Sequence, residues 1–285
     1  MSVKIIQERF EKYHCLSLQD EERAFKEIAQ EVALAGLSRA GFFKFAVFQG
    51  GTCLRILYSL ERFSEDLDFI LKSPDFEFNW EMYLSNLATE FDAYGIELAV
   101  QDRSKIEDTV KKVFIKSDSI GKILNLKYPK LTGPLKKAII KFELDTNPPQ
   151  GSGFETRYLD FPLPFPVTVQ DLPSLFAGKN HALLCREYTK GRDWFDFLWY
   201  VARNTPINLE FLANAINQQG PWQGQEIKVD KDWYLNEIQK KIQTTDWQKA
   251  KNDVARFLKP KDLSTLELWS TEFFLDRVNK IRSYL

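Results

Sequence analysis

Two kinds of spacing of apolar residues divide the chain into two parts. In the first part, stretches with helical spacing alternate with short stretches of strand-like alternation, whereas from residue 171 onward the spacing is helical throughout. The first part predicts helices at 20–37, with Asp20 as N-cap, and at 80–94, and strands at 45–48, 64–71, 96–101, 110–116 and 136–145. We therefore expect an α/β (α+β) chain, with a mixed sheet and flanking helices in residues 1–168 and a mostly helical domain in residues 169–285.

A pair of glycines joins the strand at 45–48 to a helical stretch that begins near Thr52. Glycines between a strand and a helix let backbone N–H groups point at a phosphate, and the N-terminus of the helix adds partial positive charge. Gly50, Gly51 and the Thr52 hydroxyl are therefore candidate ligands for phosphate oxygens. Glycine pairs also form ordinary turns, so this stretch alone does not decide between the two interpretations.

Acidic residues on two predicted strands are candidate metal ligands. Asp66 and Asp68 are two residues apart on one strand, so their carboxylates project from the same side, about 6.5–7 Å apart at the backbone. Glu143 and Asp145 alternate in the same way on a later strand, so this strand can bring a third carboxylate beside the first two. Mg²⁺ prefers oxygen ligands, keeps several waters and accepts substrate phosphates. The pattern predicts metal-dependent phosphoryl or nucleotidyl transfer.

Composition narrows the class of protein. The chain has 285 residues, of which 44% are apolar, a net charge of −1, three cysteines and two histidines. So few cysteines and histidines argue against a disulfide framework and a zinc site, so a metal would be held by oxygen. No apolar run approaches the ~20 residues that cross a bilayer, and the polar N-terminal stretch lacks the apolar core of a signal peptide. We expect a cytoplasmic protein with no membrane partner.

One segment has a local excess of positive charge. Residues 119–142 contain six lysines and no acidic residue. Such a segment suits the backbone of a nucleic acid, although runs of like charge are more often solvated faces. If the chain transfers a nucleotidyl group, this segment weakly favours RNA over a protein as the acceptor of that group.

Three stretches of the chain resemble the nucleotidyltransferase AbiEii toxin family, within the polymerase-β-like nucleotidyltransferase superfamily. These are GGTCLR at 50–55, RFSEDLDF at 62–69 and KNHALLCREYTKGRDWFDF at 179–197. The resemblance implies the nucleotidyltransferase fold for the first domain. It implies that Gly50, Gly51 and Thr52 hold the triphosphate and that Asp66 and Asp68 bind metal. It also implies a third acid, for which Glu143 is the first candidate and Asp145 the second.

By the same resemblance, the second domain contributes to the active site. Lys179 is expected to steady the leaving pyrophosphate, and Asp193 matches the downstream aspartate of the family, although a helix-capping role for Asp193 also fits the sequence. The predicted nucleotide-binding set is completed by Arg55, Ser64, Arg186 and Arg192. This assignment places the active cleft between the two domains.

The resemblance implies a toxin that moves a nucleoside monophosphate from an NTP to an RNA hydroxyl with Mg²⁺. Some relatives act on the 3′ end of tRNA and block translation, and a cognate antitoxin and a role in phage defence belong to the same expectation. Two alternatives stay open, namely transfer to a protein hydroxyl, such as one on the antitoxin, and a non-catalytic NTP-binding module. Asp66 and Asp68 argue against the non-catalytic module, because a nucleotide can be held without paired acids but its transfer usually needs them.

Overall fold

The structure, a computed structural model, describes residues 2–97, 99–102, 109–117 and 138–285. Its strands are β1 (Ala46–Gln49), β2 (Asp66–Leu71), β3 (Ala99–Asp102), β4 (Val110–Ser117), β5 (Ala138–Asp145), β6 (Phe154–Leu159) and β7 (Phe165–Gln170). Its α-helices are α1 (Ser2–Glu11), α2 (Leu18–Arg39), α3 (Gly50–Tyr58), α4 (Glu81–Ala93), α5 (Leu172–Cys185), α6 (Gly191–Ala202), α7 (Leu209–Gln218), α8 (Lys231–Thr244), α9 (Trp247–Ala255) and α10 (Thr271–Ile281). Residues Phe42–Lys44 and Pro260–Leu268 form 3₁₀-helices. The expected mixed α/β composition is confirmed.

The strands of the described residues form one seven-stranded sheet, in the order β3-β4-β5-β2-β1-β7-β6. The sheet is mixed, because β2 runs antiparallel to β1 and parallel to β5, and β7 runs parallel to β1. Strands β6 and β7 are not among the predicted elements. The prolines of residues 161–166 interrupt the alternation there, and proline is unusual in strands.

Residue contacts divide the chain into two compact units. The first unit comprises Met1–Tyr58, Glu65–Pro148 and Thr156–Val169, and the second comprises Ser59–Ser64, Pro149–Glu155 and Gln170–Leu285. The short segments Ser59–Ser64 and Pro149–Glu155 lie within the sequence of the predicted first domain, yet they pack with the second unit. A boundary drawn from the change in spacing at residue 169 does not capture them, because they contain no regular element long enough to show a period.

One face of the sheet in the first unit buries aromatic and aliphatic residues. The ring of Phe69 on β2 lies 5.1 Å from that of Phe42 and 6.3 Å from that of Phe142 on β5. The ring of Trp80 lies 6.0 Å from that of Phe142, and α2 contacts both α4 and β5. Leu67 and Phe69 are fully or almost fully buried, so this face forms the core of the unit.

Side-chain caps fix where the helices begin. Ser17, rather than the predicted Asp20, is the N-cap of α2, because its hydroxyl accepts a hydrogen bond of 3.1 Å from the Asp20 N–H. The helix therefore begins two residues before the predicted start. Five helices of the second unit begin after a capping side chain of the same kind, provided by Asp171, Asn208, Asp230, Asp246 and Ser270.

The second unit packs its helices around aromatic rings. The ring of Phe274 stacks on that of Trp247 at 4.1 Å and meets that of Trp194 edge-on at 5.1 Å. Helix α6 starts against α9, where a Cβ at Gly191 would lie only 1.8 Å from the Ala250 carbonyl oxygen. Glycine is therefore required at the start of α6. No helix in the described ranges has both the length and the apolar content that crossing a bilayer requires.

Candidate active site

The register of β2 brings acidic residues of two strands to one face of the sheet. In the parallel pairing of β2 with β5, Asp66 lies opposite Lys141 and Asp68 lies opposite Glu143. In the antiparallel pairing of β2 with β1, Gln49 lies opposite Asp68. Residues that are opposite in register project from the same face. This face is the one opposite to the core, because Leu67 and Phe69 alternate with the two aspartates.

Lysines partly neutralise this acidic face. The Glu143 carboxylate lies 2.6 Å from the Lys141 ammonium and 3.7 Å from that of Lys112 on β4. Burial raises the pKa of Asp66, and the positive charge of Lys141 partly opposes that rise. The group of carboxylates therefore needs compensating positive charge, which lysine supplies in this structure.

The alternative third acid, Asp145, lies two residues after Glu143 on β5. It is opposite Ile70 of β2, and its carboxylate accepts a hydrogen bond of 2.9 Å from the Asn147 N–H. Burial raises the pKa of Asp145, and this hydrogen bond opposes the rise. The register thus places Glu143, and not Asp145, directly beside Asp68. The choice of Glu143 as third acid stays a prediction.

The donor set of this face suits a hard divalent cation. All candidate ligands are carboxylate oxygens, which Mg²⁺ accepts while keeping waters and substrate phosphates as further ligands. Within the described residues, no three histidine, cysteine, aspartate or glutamate side chains form a ready-made metal cluster. Asp66 and Asp68 therefore fit a site in which the protein supplies two carboxylates and the substrate supplies other oxygens.

Gly50 brings the start of α3 against Asp68. Helix α3 begins at Gly50 itself, so the predicted turn of two glycines and helix start near Thr52 are corrected: both glycines belong to the first turn of the helix. Gly50 has a φ of +79°, and a Cβ at this position would lie 2.5 Å from Oδ2 of Asp68. Only glycine combines this left-handed φ with such a close approach. The helix N-terminus, with its partial positive charge, thus lies beside a candidate metal ligand.

Thr52 and Arg55 have partners inside the first unit. Thr52 is fully buried, and its hydroxyl donates a hydrogen bond to the Asp66 carbonyl oxygen. Arg55 forms an ion pair with Glu27 of α2, with 2.8 Å between Nε and Oε2. The Thr52 hydroxyl thus joins α3 to the start of β2. The binding of phosphate by Thr52 stays a prediction.

A buried ion cluster lies in the second unit. The ammonium of Lys179 on α5 is 2.8 Å from the Asp193 carboxylate and 2.9 Å from that of Asp196, both on α6. The guanidinium of Arg62 binds Asp196 with two hydrogen bonds of 2.6 Å, and Arg186 pairs with Asp193. Lys179, Asp193 and Arg186, predicted as site residues, are therefore brought together with one another.

The charges of this ion cluster stabilise each other. Burial alone would raise the pKa of Asp193, but Lys179 and Arg186, with Lys190, outweigh it and lower that pKa to about 2. Burial alone would lower the pKa of Lys179, but Asp193 and Asp196 together raise it. Asp193 is not a helix cap, since Lys190 occupies the N-cap position of α6, so that alternative was wrong.

Two other predicted nucleotide-binding residues, Arg192 and Ser64, also belong to the second unit. The guanidinium of Arg192 stacks over the Phe257 ring at 4.1 Å, and its buried Nε has no hydrogen-bond partner in the part of the chain that the structure describes. Ser64 is buried at 7% exposure and belongs to the second unit. Five of the six lysines in 119–142, all except Lys141, lie outside the described residues.

Several residues of the acidic face and of the ion cluster were not predicted as site residues from the sequence. Asp196 follows Asp193 by three residues on a helix, which is a signal that both carboxylates share one face. Arg62 opens the RFSEDLDF stretch, but nothing local indicates a partner 134 residues away. Alternation on the predicted strand already places Lys141 on the same side as Glu143, but the ion pair between them was not predicted.

Comparisons with known proteins agree with this architecture. The family model described as "Nucleotidyl transferase AbiEii toxin, Type IV TA system" matches residues 32–277. The structure of JHP933 from Helicobacter pylori is similar with a TM-score of 0.54 and 18% identity, covering 94% of each chain. MenT4, a nucleotidyltransferase toxin from Mycobacterium tuberculosis H37Rv, is similar with a TM-score of 0.51 and 15% identity, covering 99% of each chain. No curated protein matches in sequence.

The close approach of Gly50 to Asp68 yields a prediction. Gly50→Ala should destabilise the protein by about 1–2 kcal/mol through its left-handed φ, and it should also weaken Mn²⁺ binding because Asp68 must turn away from the new methyl group. Gly41→Ala is the matched control, since Gly41 has a φ of +76° but its nearest side-chain atoms would be 3.7 Å from a Cβ. Urea unfolding and Mn²⁺ titration check both variants. Equal Mn²⁺ affinity in the two would contradict the proposed contact.

The ion cluster yields a second prediction. Lys179→Met should lower the free energy of unfolding by about 2 kcal/mol, less than the ~3–5 kcal/mol for loss of a sole buried partner, because Arg62 and Arg186 still neutralise the aspartates. Lys240→Met, which removes an exposed pair with Glu237, should cost under about 0.5 kcal/mol. Urea unfolding measures both. Unchanged stability of Lys179→Met would show that Lys179 has no structural role.

Proposed function

Because the chain belongs to the AbiEii nucleotidyl transferase toxin family, we propose that it transfers a nucleoside monophosphate from an NTP to an RNA hydroxyl, at the 3′ end of tRNA, with Mg²⁺. Family membership makes the chain a nucleotidyltransferase enzyme of a toxin–antitoxin system, with an NTP as substrate and an antitoxin as partner. The choice of Mg²⁺ and of tRNA, a cytoplasmic location and a role in phage defence are the finer parts of the proposal.

The observation that carries the proposal is the register between β2 and β5. It sets Asp68 opposite Glu143 and keeps Asp66 on the same face, and Asp68 lies next to Gly50 in the first turn of α3. Phosphoryl-group transfer needs carboxylates that hold cations beside the phosphates and a base for the attacking hydroxyl. A chain that only binds nucleotide has no need to place acids close together at an energetic cost, so the register argues against the non-catalytic alternative.

In this proposal the residues of the acidic face have separate roles. Asp66 and Asp68 hold Mg²⁺, which when bound neutralises charge that develops on phosphate oxygens. The backbone N–H groups of Gly50 and Gly51 bind the triphosphate at the N-terminus of α3. Glu143 accepts the proton of the attacking hydroxyl, since the register places it opposite Asp68 and its carboxylate is held by Lys141.

The roles of the remaining candidates stay predictions. Lys179 is proposed to steady the leaving pyrophosphate, and Arg186, Arg192 and Asp193 are further candidates from the second domain. Thr52, Arg55 and Ser64 are proposed as further nucleotide-binding residues. The support for Lys179 is its retained ammonium charge, because Asp193 and Asp196 keep its pKa raised despite burial. A charged lysine suits a leaving group that gains negative charge.

One experiment separates the three possible activities. The protein is incubated with Mg²⁺ and each of four α-³²P-labelled NTPs, together with total tRNA, with the purified antitoxin, or alone. Label on tRNA supports the proposal, and label on the antitoxin replaces it with transfer to protein. NTP binding without label on either acceptor would support a binding module and overturn the proposal.

Removing either metal-binding carboxylate should abolish transfer. Asp66→Asn and Asp68→Asn each remove one negative charge from the proposed Mg²⁺ site, so we expect a loss of at least about 10²-fold in kcat, the scale seen when one electrostatic group is removed. For the same reason, expression of either variant in bacteria should not cause the growth arrest that is expected of the parent toxin. Asp92→Asn, an exposed carboxylate on α4, is the control and should retain activity. Either β2 variant with control-level turnover would refute the roles assigned to these acids.

A pair of variants decides the third acid. Glu143→Gln should lower kcat because the base for the attacking hydroxyl is lost, and the loss should shrink at high pH, where the hydroxyl needs less help. Asp145→Asn should lower kcat far less, since Asp145 lies opposite Ile70 instead of Asp68. Single-turnover rates between pH 6 and pH 9 distinguish the two. A larger loss for Asp145→Asn would transfer the role of base to Asp145.

A further inference from the structure

Strand β6 is an edge strand with an unusual sequence. It is the last strand in the sheet order, and in the described residues no strand lies on its outer side. Edge strands usually carry charge or proline that discourages pairing. β6 has two charged residues, Glu155 and Arg157, but no proline, and it exposes two aromatic side chains, Phe154 at 41% and Tyr158 at 70%. Its open backbone groups therefore offer a template for another strand.

A hydrogen bond of Gly153, the residue directly before β6, indicates which backbone groups of β6 face away from β7. The carbonyl oxygen of Gly153 accepts a hydrogen bond of 3.0 Å from the Asp171 N–H, at the end of β7. Strands β6 and β7 are neighbours joined by residues 160–164, a length typical of an antiparallel hairpin. Backbone groups alternate in direction along an antiparallel strand, so odd-numbered residues of β6 turn toward β7. Phe154, Thr156 and Tyr158 then direct their N–H and C=O groups to the open side.

The sequence of β6 is complementary to itself in antiparallel orientation. When two copies pair about Thr156, Thr156 faces Thr156 of the second copy, Glu155 faces Arg157, and Phe154 faces Tyr158. The outward backbone groups then form three hydrogen-bonded pairs, about six hydrogen bonds in all. Glu155 and Arg157 fall in the pairs between them, where side chains approach most closely. Aromatic, opposite-charge and Thr–Thr pairs are each favourable across antiparallel strands.

We propose that β6 is a self-association surface whose partner is a second copy of this chain, joined by a twofold axis at Thr156. The arrangement is isologous, because each strand supplies both halves of every pair. It is independent of the proposed function. The contact is a single strand pair, below the size of a standard interface, so we expect a transient dimer that is populated only at high chain concentration.

Charge exchange provides the sharpest test. Glu155→Arg alone and Arg157→Glu alone place like charges opposite each other in the homodimer, so each should sediment as a monomer at concentrations where the parent dimerises. An equimolar mixture of these two variants restores opposite charges in every pair and should sediment as a dimer. The double variant Glu155→Arg/Arg157→Glu should also dimerise. The guanidinium of Arg157 also stacks over the Tyr58 ring of the same chain, at 4.1 Å. The double variant loses this stacking as Arg157→Glu does, so its dimerisation would show that the loss of stacking is not what prevents dimers.

Cysteine crosslinking tests the register itself. Thr156→Cys should form an intermolecular disulfide quickly, because hydrogen-bonded partners lie about 5.5 Å apart at Cα, within the range that a disulfide spans. Tyr158→Cys should not, since its own counterpart is offset by four residues, roughly 13 Å. Circular dichroism confirms that each variant is folded. A parent chain that is monomeric at every concentration, a mixture that stays monomeric, or equal crosslinking at both positions would overturn the proposal.

Discussion

The candidate active site depends on the register of β2 between β1 and β5. A slip of one residue would turn Asp66 and Asp68 into the core and expose Leu67 and Phe69, because the side-chain period of a strand is two. The rings of Phe42 and Phe142 pack against Phe69 and oppose such a slip. The apolar core on one face therefore holds the carboxylates in place on the other, and the precision of the site derives from packing that has no chemical role.

Collecting carboxylates on one face has an energetic cost that must be offset. Two unit charges about 6 Å apart at an effective dielectric constant of about 20 repel each other by about 3 kcal/mol, a sizeable part of the stability of a domain. Lys141 and Lys112 supply positive charge next to Glu143, and the N-terminus of α3 supplies it next to Asp68. These contacts offset part of that repulsion.

How well a feature of this molecule can be predicted from the sequence depends on how far apart in the sequence the interacting residues are. Alternation along single strands predicted the aspartates of β2 and the acids of β5 on one face each, and the spacing of apolar residues predicted α2 and α4. Which strands are neighbours, and hence that Asp68 meets Glu143 and not Asp145, depends on pairing between segments 75 residues apart, which leaves no local mark. The role of Thr52 was equally hidden, because its acceptor is a backbone carbonyl that any residue at position 66 would provide.

A sequence stretch that resembles a catalytic motif can also carry structural residues, and exposure separates the two. The KNHALLCREYTKGRDWFDF stretch contains Lys179, Asp193 and Asp196, and all three belong to the buried ion cluster. The side chain of Asp196 is 0% exposed and that of its partner Arg62 is 3% exposed, so neither can touch a nucleotide. Lys179 is 14% exposed and Arg186 is 34% exposed. Exposure therefore favours Lys179 and Arg186 as the candidates of this cluster for the predicted contact with phosphate. Asp193 and Asp196 hold the Lys179 ammonium, and Asp193 also holds Arg186.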